Sequence, residues 1–302
     1  MRPNLFATVL THAAPSSNYR GESEENRTVI QKITKGDHEF AFISPESMRN
    51  ALRDMLGARG LPTNRKRLHD EDQLAVEFKD FPDAGTYADD FFFGYMVADP
   101  KAMKATKRPP KRDSVLRMNM AVALVPYRFD ASFHQSPLNA GVSPWKNSTT
   151  SALLHREVSY TAYQYPFALS LEDCAKGGAT SLGWTRALLE SIGELSNVAG
   201  GHARSLFEMA PRSVVLRLTR SLASGFDPYG FAADGTFAEL GRLNENDLPA
   251  SEFFVGGELV RAMDATTRKA LESAGAKLFE SPQRAIGAVC DAAELPSSGS
   301  RA

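Results

Sequence analysis

Arg49 and Arg53 stand four residues apart in segment 44–57, whose apolar residues Met48, Ala51, Leu52, Met55 and Leu56 recur at three- and four-residue spacing. On a helix of that register both arginines, with Asn50, fall off the apolar stripe and project from one side. Such a pair suits phosphate oxygens, and it suits a plain solvated face equally. A second donor-rich set is Asn18-Tyr19-Arg20-Gly21 with Asn26-Arg27. It combines guanidinium groups, an aromatic ring and a flexible glycine, the parts needed to clamp phosphate and stack a base. The third is Gly200-Gly201-His202-Ala203-Arg204, where bare backbone N–H groups could approach a phosphate beside Arg204. A helix end that needs left-handed glycines explains Gly200 and Gly201 as well.

Other chemistries lack their residues. The six histidines show neither H-x-x-x-H nor H-E-x-x-H spacing, which disfavours zinc hydrolysis. Neither G-x-G-x-x-G nor G-x-x-x-x-G-K-[ST] occurs, so no dinucleotide or nucleotide-hydrolysing loop is signalled. Asp70-Glu71-Asp72 and Asp89-Asp90 could hold a cation but read as surface charge. No cofactor and no metal is expected, and Cys174 and Cys290, far apart and without a C-x-x-C partner, read as ordinary thiols. Lys101, Lys104, Lys107, Arg108, Lys111 and Arg112 form a basic run around Pro109-Pro110, which reads as a solvated loop or a phosphate-contacting one.

The elements that position these groups follow from local pattern. Ser44 caps a helix over 44–57, Pro45 suits its first turn, and Gly57 supplies the stop. A strand is expected over 5–11, and a hairpin over 28–33 and 39–43 about Lys35-Gly36-Asp37. Alternation of Leu116, Met118, Met120, Val122 and Leu124 predicts one strand over 114–125 with those side chains buried. Residues 155–171 read as a long strand or bent pair, 181–198 as a helix ended by Gly200-Gly201, and 213–222 as a last core strand. The remainder reads as mostly helical, with Ser281-Pro282 a further helix start. Residues 129–154 are irregular, as functional loops often are. With 302 residues and 42% hydrophobic content the chain can bury one substantial core. Its longest apolar runs fall far short of the roughly 20 residues that cross a bilayer. Met1 to Leu5 lacks a secretory pattern, so no membrane contact and a cytoplasmic location are expected. Net charge is −1, so any polyanion binding must be local.

Asn18-Tyr19-Arg20-Gly21-Glu22 with Asn26-Arg27, followed by the segment from Ile43-Ser44-Pro45 through Arg53, resembles the N-terminal pattern of the CRISPR-associated DevR autoregulator family. Phe92-Phe93-Gly94-Tyr95-Met96, Tyr163-Gln164-Tyr165-Pro166-Phe167 and Val198-Ala199-Gly200-Gly201-His202-Ala203-Arg204 extend that resemblance to about residues 1–225. Members of that family are similar to the repeated backbone subunit of type I Cascade complexes, of type I-B kind. The resemblance implies an α+β fold: a ferredoxin-like or RNA-recognition-motif palm over 1–57 and 113–225, in keeping with the strand, helix, strand, strand, helix, strand order. It implies inserted fingers over 58–112, a β-hairpin thumb over 129–154, and a C-terminal extension over 226–302. It further implies guide RNA, the target DNA strand paired to it, other copies stacked head to tail and other Cascade subunits as partners, with no catalysis. Carried onto this sequence, Asn18, Tyr19, Arg20 and Arg27 lie beside the palm. Ser44, Arg49, Asn50 and Arg53 form the phosphate-gripping helix start, Gly200, Gly201, His202 and Arg204 the glycine-rich loop, and His134, Gln135, Ser136 and Asn139 the thumb. Related type III backbone subunits cleave RNA, so a metal-assisted endoribonuclease is the rival expectation; a transcriptional autoregulator is a third, without a convincing helix-turn-helix.

Overall fold

The structure, a computed structural model, describes residues 2–24, 27–69, 74–98, 108–135, 153–198 and 206–297. The first strand, β1 (Asn4–Thr11), is apolar on both sides: Leu5, Ala7 and Val9 join one core cluster, while Leu10 and Phe6 face a second. A strand buried on both faces belongs at the centre of a sheet. Then come β2 (Ala14–Ser16), β3 (Tyr19–Glu24), β4 (Arg27–Ile30), β5 (Lys32–Lys35) and β6 (His38–Ile43). The last two form the expected hairpin, with Gly36 in the left-handed region its tight turn requires (φ 61°).

Helix α1 (Pro45–Ala58) starts as expected: the Ser44 hydroxyl accepts the Ser47 N–H at 3.2 Å, and Met48, Ala51, Leu52 and Leu56 are buried. Its end is corrected. Gly57 stays helical, and the exit is made at Gly60, whose φ of 81° only glycine adopts readily. Beyond it lie a hairpin of β7 (Arg65–His69) and β8 (Leu74–Phe78), then α2 (Ala88–Phe93), and a short pair of β9 (Tyr95–Met96) with β10 (Lys111–Arg112). Phe91, Phe92 and Phe93 sit in the same core cluster as α1. The polar insertion is thus rooted in the core by three aromatic rings.

The strand expected over 114–125 is broken into β11 (Arg117–Met118) and β12 (Ala121–Ala123). Buried positions run Leu116, Met118, Ala121, Ala123, so the facing switches near Asn119 and leaves Met120, Val122 and Leu124 partly exposed. The cause is opposite. The partner strand carries Pro166, which has no N–H to give; Asn119 N–H donates to the Pro166 carbonyl, and one extra residue is accommodated there.

Next are β13 (Ala131–Gln135), β14 (Leu153–Glu157), β15 (Ser159–Thr161) and β16 (Tyr163–Ser170), so the long run at 155–171 is cut at Val158 and Ala162. Helix α3 (Gly178–Gly193) begins three residues before the expected start and ends well before Gly200, which lies outside the described residues. Strand β17 (Pro211–Thr219) completes the expected core. In the C-terminal part helical residues outnumber strand residues, with Gly241–Asn244, Glu258–Arg261, α4 (Ala265–Ser273) and α5 (Pro282–Ala292), but two strands that the sequence did not signal, β18 (Phe253–Gly257) and β19 (Lys277–Phe279), join the main sheet. Ser281 caps α5 as predicted, accepting the Arg284 N–H.

The main sheet runs β19-β18-β17-β1-β16-β12-β6-β5, with β11 also on β16 and every pairing antiparallel except β18 with β19. Helices α1, α3 and α5 cover one face. The segments on either side of β18 cover the other, through Phe226, Phe231, Phe237, Leu243 and Leu271 packed on Leu10, Val215 and Phe253. A second sheet, β13-β14-β4-β3, forms an arm in which β13 and β14 pair antiparallel from Ala131 with Glu157 to Gln135 with Leu153.

Candidate nucleic-acid interface

Helix α1 separates the two arginines that its sequence places together. Arg53 is buried: its Nη1 donates to Asn50 Oδ1 at 2.6 Å, its Nε lies 3.9 Å from Asp89, and its guanidinium stacks on Phe93, 4.7 Å from the ring centre. Burial, with Arg65 adding to it, brings its pKa down to about 10. The expectation that Arg53 projects outward is therefore corrected, because α2 and its aromatic run close over that side of α1. Asp89 and Asp90 are not surface charge either. Asp89 accepts the N–H groups of Asn64 and Arg65, and Asp90 accepts Asn64 Nδ2 and the Asp83 N–H. Both are buried, and burial raises the pKa of Asp90.

Arg49 takes the opposite course. It borders a cleft of about 560 Å³ whose walls include Phe6 and Ala7 of β1, Pro166 of β16, Arg117 of β11 and Tyr229. Arg49 Nε is buried and makes no hydrogen bond among the described residues. Burial lowers its pKa and the Arg117 cation lowers it further, while Glu46 opposes them. Among the described residues no carboxylate lines the cleft, and Glu46 is the acid whose charge reaches Arg49. Two cations at one cleft, one with an unsatisfied buried N–H, are an arrangement that favours an anionic ligand.

The other expected residues are dispersed. Asn18 is buried and donates from Nδ2 to the Phe42 carbonyl at 3.0 Å, tying β6 to the arm. Tyr19 and Arg20 lie on β3, their side chains outside the described residues. Arg27 on β4 lies over the exposed Phe129 ring, 5.3 Å from its centre. Ser44 is spent as the cap of α1. His134 and Gln135 end β13, and the His134 ring sits 3.0 Å from the Ser132 hydroxyl. Gly200, Gly201, His202, Arg204, Ser136 and Asn139 lie outside the described residues, as do the 70–72 acids and Lys101, Lys104 and Lys107 of the basic run, whereas Arg108 pairs with Asp83 and Arg112 donates to the Phe91 carbonyl.

The arm is fixed to the main sheet through Glu157, which is buried. Its Oε2 accepts the Ile30 N–H at 2.8 Å, and its Oε1 accepts Lys32 Nζ at 3.0 Å together with the Tyr127 hydroxyl. Burial pushes this carboxyl up, but the bonds from Tyr127, Ile30 and Lys32 outweigh it and hold its pKa below the ordinary glutamate value.

Among curated proteins, the CRISPR-associated protein Cas7/Cst2/DevR of Myxococcus xanthus strain DK1622 is 31% identical over 309 residues, spanning 98% of this chain and 99% of that protein. The chain belongs to the Cas7/Cst2/DevR family. No protein-family model matches it. The fold of this chain is similar to that of a chain of a pre-nicking CRISPR RNA-guided surveillance complex, at a TM-score of 0.61 and 13% identity over 96% of this chain and 100% of that one. A chain of a second CRISPR RNA-guided surveillance complex follows at 0.58 and 14%, over 96% and 99%.

In this Cas7/Cst2/DevR member, sequence reasoning missed Arg117 and Tyr229. Arg117 occupies an outward position of the strand that begins at Leu116, where a lone arginine carries no motif of its own. Tyr229 belongs to a loop with no local motif, held at the cleft by the hydrogen bonds from the Tyr229 hydroxyl to the Met120 carbonyl and from Thr8 Oγ1 to the Pro228 carbonyl. Among the described residues there is no group of three or more metal-ligating side chains and no helix long and apolar enough to cross a membrane. Cys174 and Cys290 are buried, and burial pushes their thiols up to about 11 and about 12.

Proposed function

We propose that this chain is the repeated backbone subunit of a type I CRISPR RNA-guided surveillance complex, holding guide RNA by its phosphates whatever the sequence and carrying no catalysis of its own. Other copies stacked head to tail, other Cascade subunits and a target DNA strand paired to the guide are its partners. The observation that carries the reading is the Arg49 and Arg117 pair beside a cleft without carboxylates. Strands β17, β1, β16 and β12 with α1 and α3 serve as the RNA-recognition-like palm. The β7 and β8 hairpin serves as part of the fingers, and the β13 and β14 ladder bounds the thumb. The covered second sheet face supports binding without base readout there, because Leu10, Ala162 and Val215 on that face lie under Phe226, Phe231 and Phe237 of the C-terminal segment.

RNA-free protein titrated with single-stranded RNA across a salt series tests the phosphate site. Arg49→Ala and Arg117→Ala should each weaken binding and reduce the salt slope by about one phosphate; affinities equal to wild type at every salt would refute it. Labelled target RNA incubated with the assembled complex and divalent metal should stay intact, whereas regular cleavage would contradict the non-catalytic role.

A further inference from the structure

We infer that the cleft seats one whole nucleotide of the bound strand, its phosphate on Arg49 and Arg117 and its base against Tyr229 and Phe6, which makes the C-terminal segment part of the RNA site. This rests on the RNA-binding reading and specifies its ligand. Size is the first argument: about 560 Å³ lies within the roughly 300–1,000 Å³ of sites that enclose a small organic ligand, and a phosphate group fills only a fraction of it. Lining is the second. Cations border the cleft at α1 and β11, and aromatic and proline surfaces make up about half of the rest, beside small or aliphatic residues and the polar Asn119 and Ser224.

Rigidity is the third argument, because the wall formed by residues 224–231 is pinned from four directions. Buried Arg217 donates from Nη1 to the Ser224 carbonyl at 2.6 Å, and Thr8 Oγ1 donates to the Pro228 carbonyl at 2.8 Å. The Tyr229 hydroxyl donates to the Met120 carbonyl at 2.7 Å, and Gln164 exchanges hydrogen bonds with the Phe231 N–H and carbonyl. A wall fixed before the ligand arrives loses little freedom on binding. The Tyr229 hydroxyl is committed to Met120, so the ring meets the ligand as an apolar surface. Stacking on such a ring accepts any base.

The test titrates RNA-free full-length protein with single-stranded RNA and with an abasic sugar–phosphate strand of equal length. Wild type should prefer the intact strand by about tenfold. Tyr229→Ala should abolish that preference, Tyr229→Phe should keep it, and Arg117→Ala should weaken both strands alike. Equal binding of both strands by wild type overturns the inference and leaves the phosphate reading standing; binding of neither strand overturns the RNA reading itself. Because Tyr229→Ala also removes the Met120 anchor, 4-thiouridine RNA is photo-crosslinked to the unaltered chain as well. Adducts at Phe6 or within 224–231 are expected, and adducts confined to other segments overturn the assignment.

Discussion

Residues of one type do opposite work in this protein according to what closes over them. Arg53 is enclosed by Asn50, Asp89 and Phe93, and Arg53→Ala should cost about 3 kcal/mol in denaturant unfolding because it strands the buried Asp89. Among the described residues Arg49 and Arg53 alike have no hydrogen-bond acceptor at Nε, but nothing like Asn50, Asp89 and Phe93 closes over Arg49, so Arg49→Ala should leave the melting temperature close to wild type while RNA affinity falls. A sequence reading cannot separate the two, since both lie off the apolar stripe of α1 and only the distant Phe93 and Asp89 distinguish them. Glu157 is the residue on which the arm hangs, and Glu157→Gln should destabilise by about 2–3 kcal/mol. Its folded pKa is depressed, so its contribution is present above the ordinary carboxylate range and is lost as pH falls toward the folded value. Thermal melts should therefore show wild type losing more stability than Glu157→Gln on acidification through that range.

Elements were legible where local chemistry decides them. Ser44-Pro45 with its stripe, the Gly36 hairpin and Ser281-Pro282 each carry their own start or turn signal, and each appears where expected. Ser44→Ala should lower stability by about 1 kcal/mol through loss of the cap to Ser47. Elements were misjudged where a partner strand decides. Pro166 breaks the strand across from it, and Phe253–Gly257 is buried at every position, so it shows no alternation to read. That strand ends on Gly257 at φ 100°, where an added Cβ would lie 2.2 Å from the Arg212 carbonyl oxygen. Gly257→Ala should therefore destabilise by roughly 2–4 kcal/mol in equilibrium unfolding, from backbone strain and overpacking together.

At the scale of the whole molecule, a near-neutral chain brings Arg49 and Arg117 to one cleft, and its C-terminal segment covers one face of the main sheet. The strand and helix order of the core was visible in the sequence, because alternation and capping are local. The cleft was only half visible. Arg49 stood out on its helix, but Arg117 and Tyr229 meet it through β11 and the C-terminal segment, contacts made across more than sixty residues of chain. The central claim, that copies of this chain coat a guide RNA through phosphate contacts, is tested most directly by co-expressing the protein with a guide, treating the purified complex with ribonuclease, and sizing the RNA that remains. A discrete protected guide that is released as salt rises is the predicted result. Purified protein carrying no protected RNA, or RNA whose retention is indifferent to salt, would contradict it.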